Sequence, residues 1–121
     1  KALSVDYMEI KIIKDKISQT EIKELAQQTF GDMVKVVVDV ERGIMAAGGE
    51  MHADCEQVLL DDGSQQENLW GANIYPEKDM SERIEYTSLI NIRPKVGNRS
   101  LEIQDQSVRD NVKAIIDKLV V

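Results

Sequence analysis

Residues 33–47 read MVKVVVDVERGIMAA, and this stretch decides the fold. Val34, Val36, Val37, Val38 and Val40 are β-branched and suit a pleated, buried surface. Glu41-Arg42-Gly43 interrupts the run, and the glycine can take the positive φ that a tight reversal needs. Ile44 to Ala47 resumes it. Two apolar runs joined by so short a connection predict a hairpin, and hence an antiparallel sheet. Gly48-Gly49 then ends the second strand as a bulge or kink.

On the N-terminal side, Ser18 and Glu21 form the capping box S-x-x-E. Ile17 and Ile22 have the spacing of a hydrophobic staple. Ile22, Leu25, Ala26 and Phe30 recur on one helical face, and Gly31 follows as the stop. Residues 8–14 predict a short edge strand, and residues 1–7 read as an N-terminal extension without a role.

On the C-terminal side, Met51, Cys55, Val58 and Leu59 form a helical stripe within 51–62, with Asp54 as cap and Gly63 as terminator. The competing reading is a hairpin through Asp62-Gly63, and the helix is preferred. Asp61 and Asp62 oppose the dipole at such a helix end, which weakens the helix reading or implies a basic neighbour such as Arg93 or Arg99. Asn68 to Tyr75 predicts a strand ended by Pro76. Ile84 to Arg93 alternates cleanly: Ile84, Tyr86, Ser88, Ile90 and Ile92 lie on one face, with Asn91 and Arg93 on the other. From about Gln106, Val108, Val112, Ile115, Ile116, Leu119 and Val120 make the stripe of a final helix capped by Asp105 or Ser107. The expected order is α-β-β-α-β-β-α. This is an α+β fold with an antiparallel four- to five-stranded sheet and helices packed mainly on one face, forming a single domain over 8–121.

The 121 residues carry a net charge of -7, and residues 24–87 hold fourteen acidic against four basic side chains. An acidic body disfavours nucleic acid, whose affinity rests largely on phosphate attraction. No apolar run approaches the roughly 20 residues of a membrane helix. The N-terminus shows no signal-peptide pattern, so a cytoplasmic location is expected. Cys55 is the single cysteine, which excludes an intrachain disulfide. One histidine and one cysteine near Glu50 and Asp54 fit no zinc spacing, and Gly48-Gly49 lacks the Gly-Lys-Ser/Thr ending of a phosphate loop. No metal and no cofactor is expected.

Three stretches, GGEMHAD (48–54), NLWGANIYPE (68–77) and INIRPKVGNRS (90–100), resemble together a family of small uncharacterised bacterial and archaeal proteins of about this length. The resemblance runs from Met8 to the C-terminus. It implies a free-standing prokaryotic domain and brings no activity, cofactor or catalytic residue with it.

The last of these stretches is the main functional candidate. Residues 91–100 hold Arg93, Lys95 and Arg99 and no acid. Arginine forks bind carboxylate or phosphate in paired hydrogen bonds. Gly97 and Asn98 permit the backbone geometry of an anion nest. Asn73 and Asn91, unusual in strands, need partners and point to the same region. The expectation is a binding domain for an anionic small molecule, through Arg93, Arg99, Asn91, Asn98, Gly97 and Asn73. The alternative enzyme is a small hydrolase or phosphoesterase in which His52 acts as acid or base, oriented by Asp54 or Glu50. A third reading is a structural protein that self-associates as a homodimer through its N-terminal edge strand or final helix. Cys55 and Trp70 read as core residues rather than as a nucleophile or a stacking platform.

Overall fold

The computed structural model describes residues 10–121. The extension 1–7 and the first two positions of the edge strand expected at 8–14 lie outside the described residues. In chain order the elements are β1 (Lys11–Ile13), α1 (Gln19–Gln28), β2 (Val34–Asp39), β3 (Ile44–Gly49), α2 (His52–Asp61), β4 (Leu69–Ile74), β5 (Ile84–Glu85) and α3 (Gln106–Leu119). The five strands form one antiparallel sheet in the order β1-β3-β2-β4-β5. The fold is α+β.

The hairpin over 33–47 forms as its sequence requires. Gly43 sits at φ 68, and Asp39 ties the turn by accepting from the N–H groups of Glu41 and Arg42, both at 2.9 Å. The Gly48-Gly49 pair is a bulge. Lys35 pairs with Gly49 and Val36 with Ala47, leaving Gly48 as the extra residue, at φ 105.

Alternation along the central strands builds two cores. Val34, Val36, Val38, Met45, Ala47, Trp70, Ala72 and Ile74 face α1 and α3, meeting Ile22, Leu25, Val112 and Ile116. Val37, Ile44, Ala46 and Leu69 face the other way, onto Cys55 and Leu59 of α2. So α1 and α3 share one face, and α2 covers the opposite one. Cys55 and Trp70 are buried, as expected of core residues.

The helix termini follow their sequence signals in two of three cases. Ser18 Oγ accepts from Glu21 N–H at 3.0 Å, and Asp105 accepts from Ser107 N–H at 2.8 Å. Residues 52–61 are helical rather than a hairpin, but Asp54 is not their cap. The cap position is Met51, which supplies no side-chain hydrogen bond. Asp62 meets Arg42 at 2.8 Å and Lys14 at 3.1 Å, not Arg93 or Arg99. Phe30 lies beyond the end of α1 and is exposed rather than buried, with the Lys35 ammonium 5.1 Å from its ring centroid.

The largest departure concerns 84–93. Only Ile84 and Glu85 join the sheet; Leu89–Asn91 and Pro94–Val96 are 3-10 turns. The chain leaves β4 because a side chain takes the place of a strand there. Asn91 Oδ1 accepts from Gly71 N–H at 2.8 Å, and its Nδ2 donates to Gly71 C=O at 3.0 Å. A ladder bond is thus reproduced by an amide, and the apolar residues of 84–93 divide between the cores, Ile84 and Tyr86 packing on the α1 and α3 side and Ile90 on the α2 side.

Candidate functional site

On the α2 side of the sheet, a polar row crosses three strands. Lys35 of β2 pairs with Asn73 of β4, which pairs with Glu85 of β5. Asn73 Nδ2 donates to Glu85 Oε1 at 2.8 Å. A carboxylate only accepts, so this bond fixes which end of the amide is which. Asn73 Oδ1 therefore turns the other way, toward Lys35 and α2. It is buried beside the His52 ring and makes no hydrogen bond of normal geometry among the described residues.

α2 begins directly above this row. His52 Nε2 lies 2.8 Å from Ala72 C=O. The carbonyl can only accept, so Nε2 carries the proton and Nδ1 is the basic nitrogen. Burial pushes the His52 pKa down, and the Lys35 charge adds to that. The bond to Ala72 and the neighbouring Asn73 amide oppose it without prevailing. The ring is neutral at pH 7. Gly71 makes this packing feasible: a Cβ there would fall 2.5 Å from Ser88 Cβ and 3.2 Å from His52 Cδ2. Ser88 is buried beside it, its Oγ accepting from Ile90 N–H at 3.2 Å.

These groups line a cavity of about 310 Å³. Its floor holds Asn73, His52 and Ser88, Lys35 and Glu50 stand at its sides, and Met51, Leu89, Ile90 and Leu101 give it apolar walls. α2 has no side-chain cap, and its first residues line the cavity. The N–H groups of His52 and Ala53 find no acceptor among the described residues.

The cations picked from the sequence sit elsewhere. Arg93 lies 3.6 Å from Glu56 and donates to Leu69 C=O, with its guanidinium 4.9 Å from the Trp70 ring centroid. Burial lowers its pKa, and Glu56 works against that. It borders a second cavity with Glu56, Gln66, Glu67 and Lys95. Asn98 spends its amide on the loop: Nδ2 lies within 3.0 Å of the carbonyls of Asn91, Ser100 and Glu102, and Oδ1 accepts from Gln104 N–H at 2.8 Å. Gly97 takes φ 85 and, with Asn98, borders a third cavity. Arg99 is exposed and lines none of the three. Asn91 is fully buried, with both ends of its amide bonded. Glu50 and Asp54 make no hydrogen bond to His52, whose orienting group is a backbone carbonyl.

Of the residues chosen from sequence, the structure thus brings together His52, Asn73 and Glu50. Lys35 and Ser88 join them and were missed. The signal for Lys35 was available, as the one cation within a run of valines.

A model for a family of proteins of unknown function, DUF5674, matches residues 11–119. The chain belongs to that family. The DUF5674 match carries no activity, in keeping with the resemblance read from the sequence. No curated protein and no solved structure matches the chain. Among the described residues of this DUF5674 member, no helix is long and apolar enough to cross a membrane, and no group of three His, Cys, Asp or Glu side chains gathers as a metal site.

Proposed function

We propose that the protein is a binding module for a small carboxylate-bearing molecule, held in the cavity between the start of α2 and residues 87–90. The observation that carries this reading is that the first residues of α2, which has no side-chain cap, line the same cavity as Lys35. Backbone N–H groups at a helix start are oriented donors with a positive partial charge, and they favour an anion. A lysine at the same place adds a full charge. The buried, unpartnered Asn73 Oδ1 supports a ligand there independently, since buried polar atoms in folded proteins are almost always bonded. The volume, at the low end for ligand sites, suits a small molecule.

This reading keeps the anionic ligand expected from the sequence and moves its centre. Asn73 stays in the site, with His52 on its floor. Asn91 and Asn98 are engaged with the protein itself, and Arg93 is held through Nη2 by Glu56 and the Leu69 carbonyl.

Titration of ¹⁵N-labelled protein with 4-methylpentanoate tests it. The amide resonances of His52 and Ala53 are expected to shift saturably, and Lys35→Gln is expected to weaken binding about three- to tenfold. Saturation with those two amides unmoved would place any anion elsewhere and end the proposal.

A further inference from the structure

We infer that the ligand is a zwitterionic α-amino acid with an aliphatic side chain. The inference rests on the carboxylate reading above and adds the other half of the molecule. Asn73 Oδ1 can only accept, and it is the free end of an amide whose other end is held by Glu85. A simple carboxylate at the start of α2 would leave it unpartnered. The ligand must therefore bring an N–H or O–H donor as well as its anion.

The charges of the cavity choose between these donors. Among the described residues, its lining carries one cation, Lys35, and one anion, Glu50. A cavity with one charge of each sign complements a molecule with one of each. The carboxylate goes to the N–H groups of His52 and Ala53, and the ammonium goes to Asn73 Oδ1, with Lys35 and Glu50 both at the sides of the cavity. Neutral His52 adds no positive charge against the ammonium. The remaining walls, Met51, Leu89, Ile90 and Leu101, are apolar. Met51 and Leu89 are 58% and 76% exposed, and such large exposed apolar side chains at the mouth of a cavity suit an aliphatic ligand.

Four ligands of one carbon skeleton test this by calorimetry on the unaltered protein: leucine, 2-hydroxy-4-methylpentanoate, 4-methylpentanoate and leucinamide. Leucine is expected to bind at least about tenfold tighter than 4-methylpentanoate, the worth of one satisfied buried acceptor. Asn73→Ala is expected to cut that advantage below about threefold while leaving 4-methylpentanoate binding in place. Should Asn73→Ala disturb folding, Glu50→Gln at the exposed rim serves instead, expected to weaken leucine and spare 4-methylpentanoate. Equal binding of leucine and 4-methylpentanoate overturns the inference and leaves the carboxylate reading standing. Tightest binding by the hydroxy acid also overturns it, because the donor is then not an ammonium. Leucinamide binding as well as leucine, with 4-methylpentanoate inert, overturns the carboxylate reading. Silence from all four overturns both.

Discussion

The side-chain amide of Asn91 closes on the main chain of Gly71 from both ends, at 2.8 and 3.0 Å. One residue thereby does what a neighbouring strand would do, and it holds residues 88–91 against the floor of the cavity. Asn91→Ala strands two buried backbone groups at once. A loss of about 2–4 kcal/mol is expected in urea unfolding. Asn91→Asp keeps the acceptor, loses the donor and buries a charge, and it should cost no less.

Gly71 is fixed by space rather than by backbone angle. Its Cβ position is 2.5 Å from Ser88 Cβ and 2.6 Å from Ser88 Oγ. Gly71→Ala is expected to destabilise by at least about 2 kcal/mol through overpacking. Ser88→Gly removes both clashing atoms. The double variant should therefore recover about 1 kcal/mol or more relative to the sum of the singles in a thermal or urea cycle. Strict additivity would show that the clash is relieved by backbone movement instead.

His52 is the one histidine, so its ring gives a single NMR titration. Burial lowers its folded pKa below the ordinary 6.5. The sign follows from proton uptake. Between the folded and unfolded values the unfolded chain holds more protons, so stability rises with pH there. The contribution is complete above pH 6.5 and is lost as pH falls through the folded midpoint. The Cε1 resonance should titrate below 6.5, and His52→Gln should flatten the stability profile between about pH 5 and 7. A midpoint above 6.5 would contradict the buried, neutral ring.

Cys55 lies on the sheet-facing side of α2, fully buried, and burial pushes its thiol up to about 11. At pH 8 the native protein should react with a disulfide reagent on the order of a hundredfold or more slowly than the denatured chain. Rapid stoichiometric reaction without denaturant would mean that α2 lifts from the sheet.

Local signals carried much of the fold and little of the site. The hairpin over 33–47, the Ser18–Glu21 cap and the Asp105 cap are governed by neighbours in sequence, and they were legible. The 84–93 segment was not, because a period of two in apolarity fits any extended chain packed on one side. Nothing local reveals that Asn91 will occupy the ladder position opposite Gly71. Phe30 and Asp54 failed for a related reason. Each satisfies a spacing rule, but α1 stops at Gln28 and α2 starts at His52, which puts one past the end and the other inside. The cluster of Lys35, His52 and Asn73 depends on α2 crossing the sheet face opposite α1 and α3, a relation between distant parts of the chain. The arginines caught attention by their charge and by the glycine and asparagines of the same loop, while the cavity instead gathers an uncapped helix start and an amide with one free end.

The two-residue length of β5 has a further effect once Asn91 is set beside it. Sheets left with a row of vacant donors and acceptors along a margin tend to recruit other chains, and fibrillar growth begins at such templates. Here the margin beyond β4 offers no such row: Glu85 ends the last strand and a folded-back amide occupies the next rung. On that side, the molecule is protected from runaway polymerisation by the same contact that shapes the floor of its cleft.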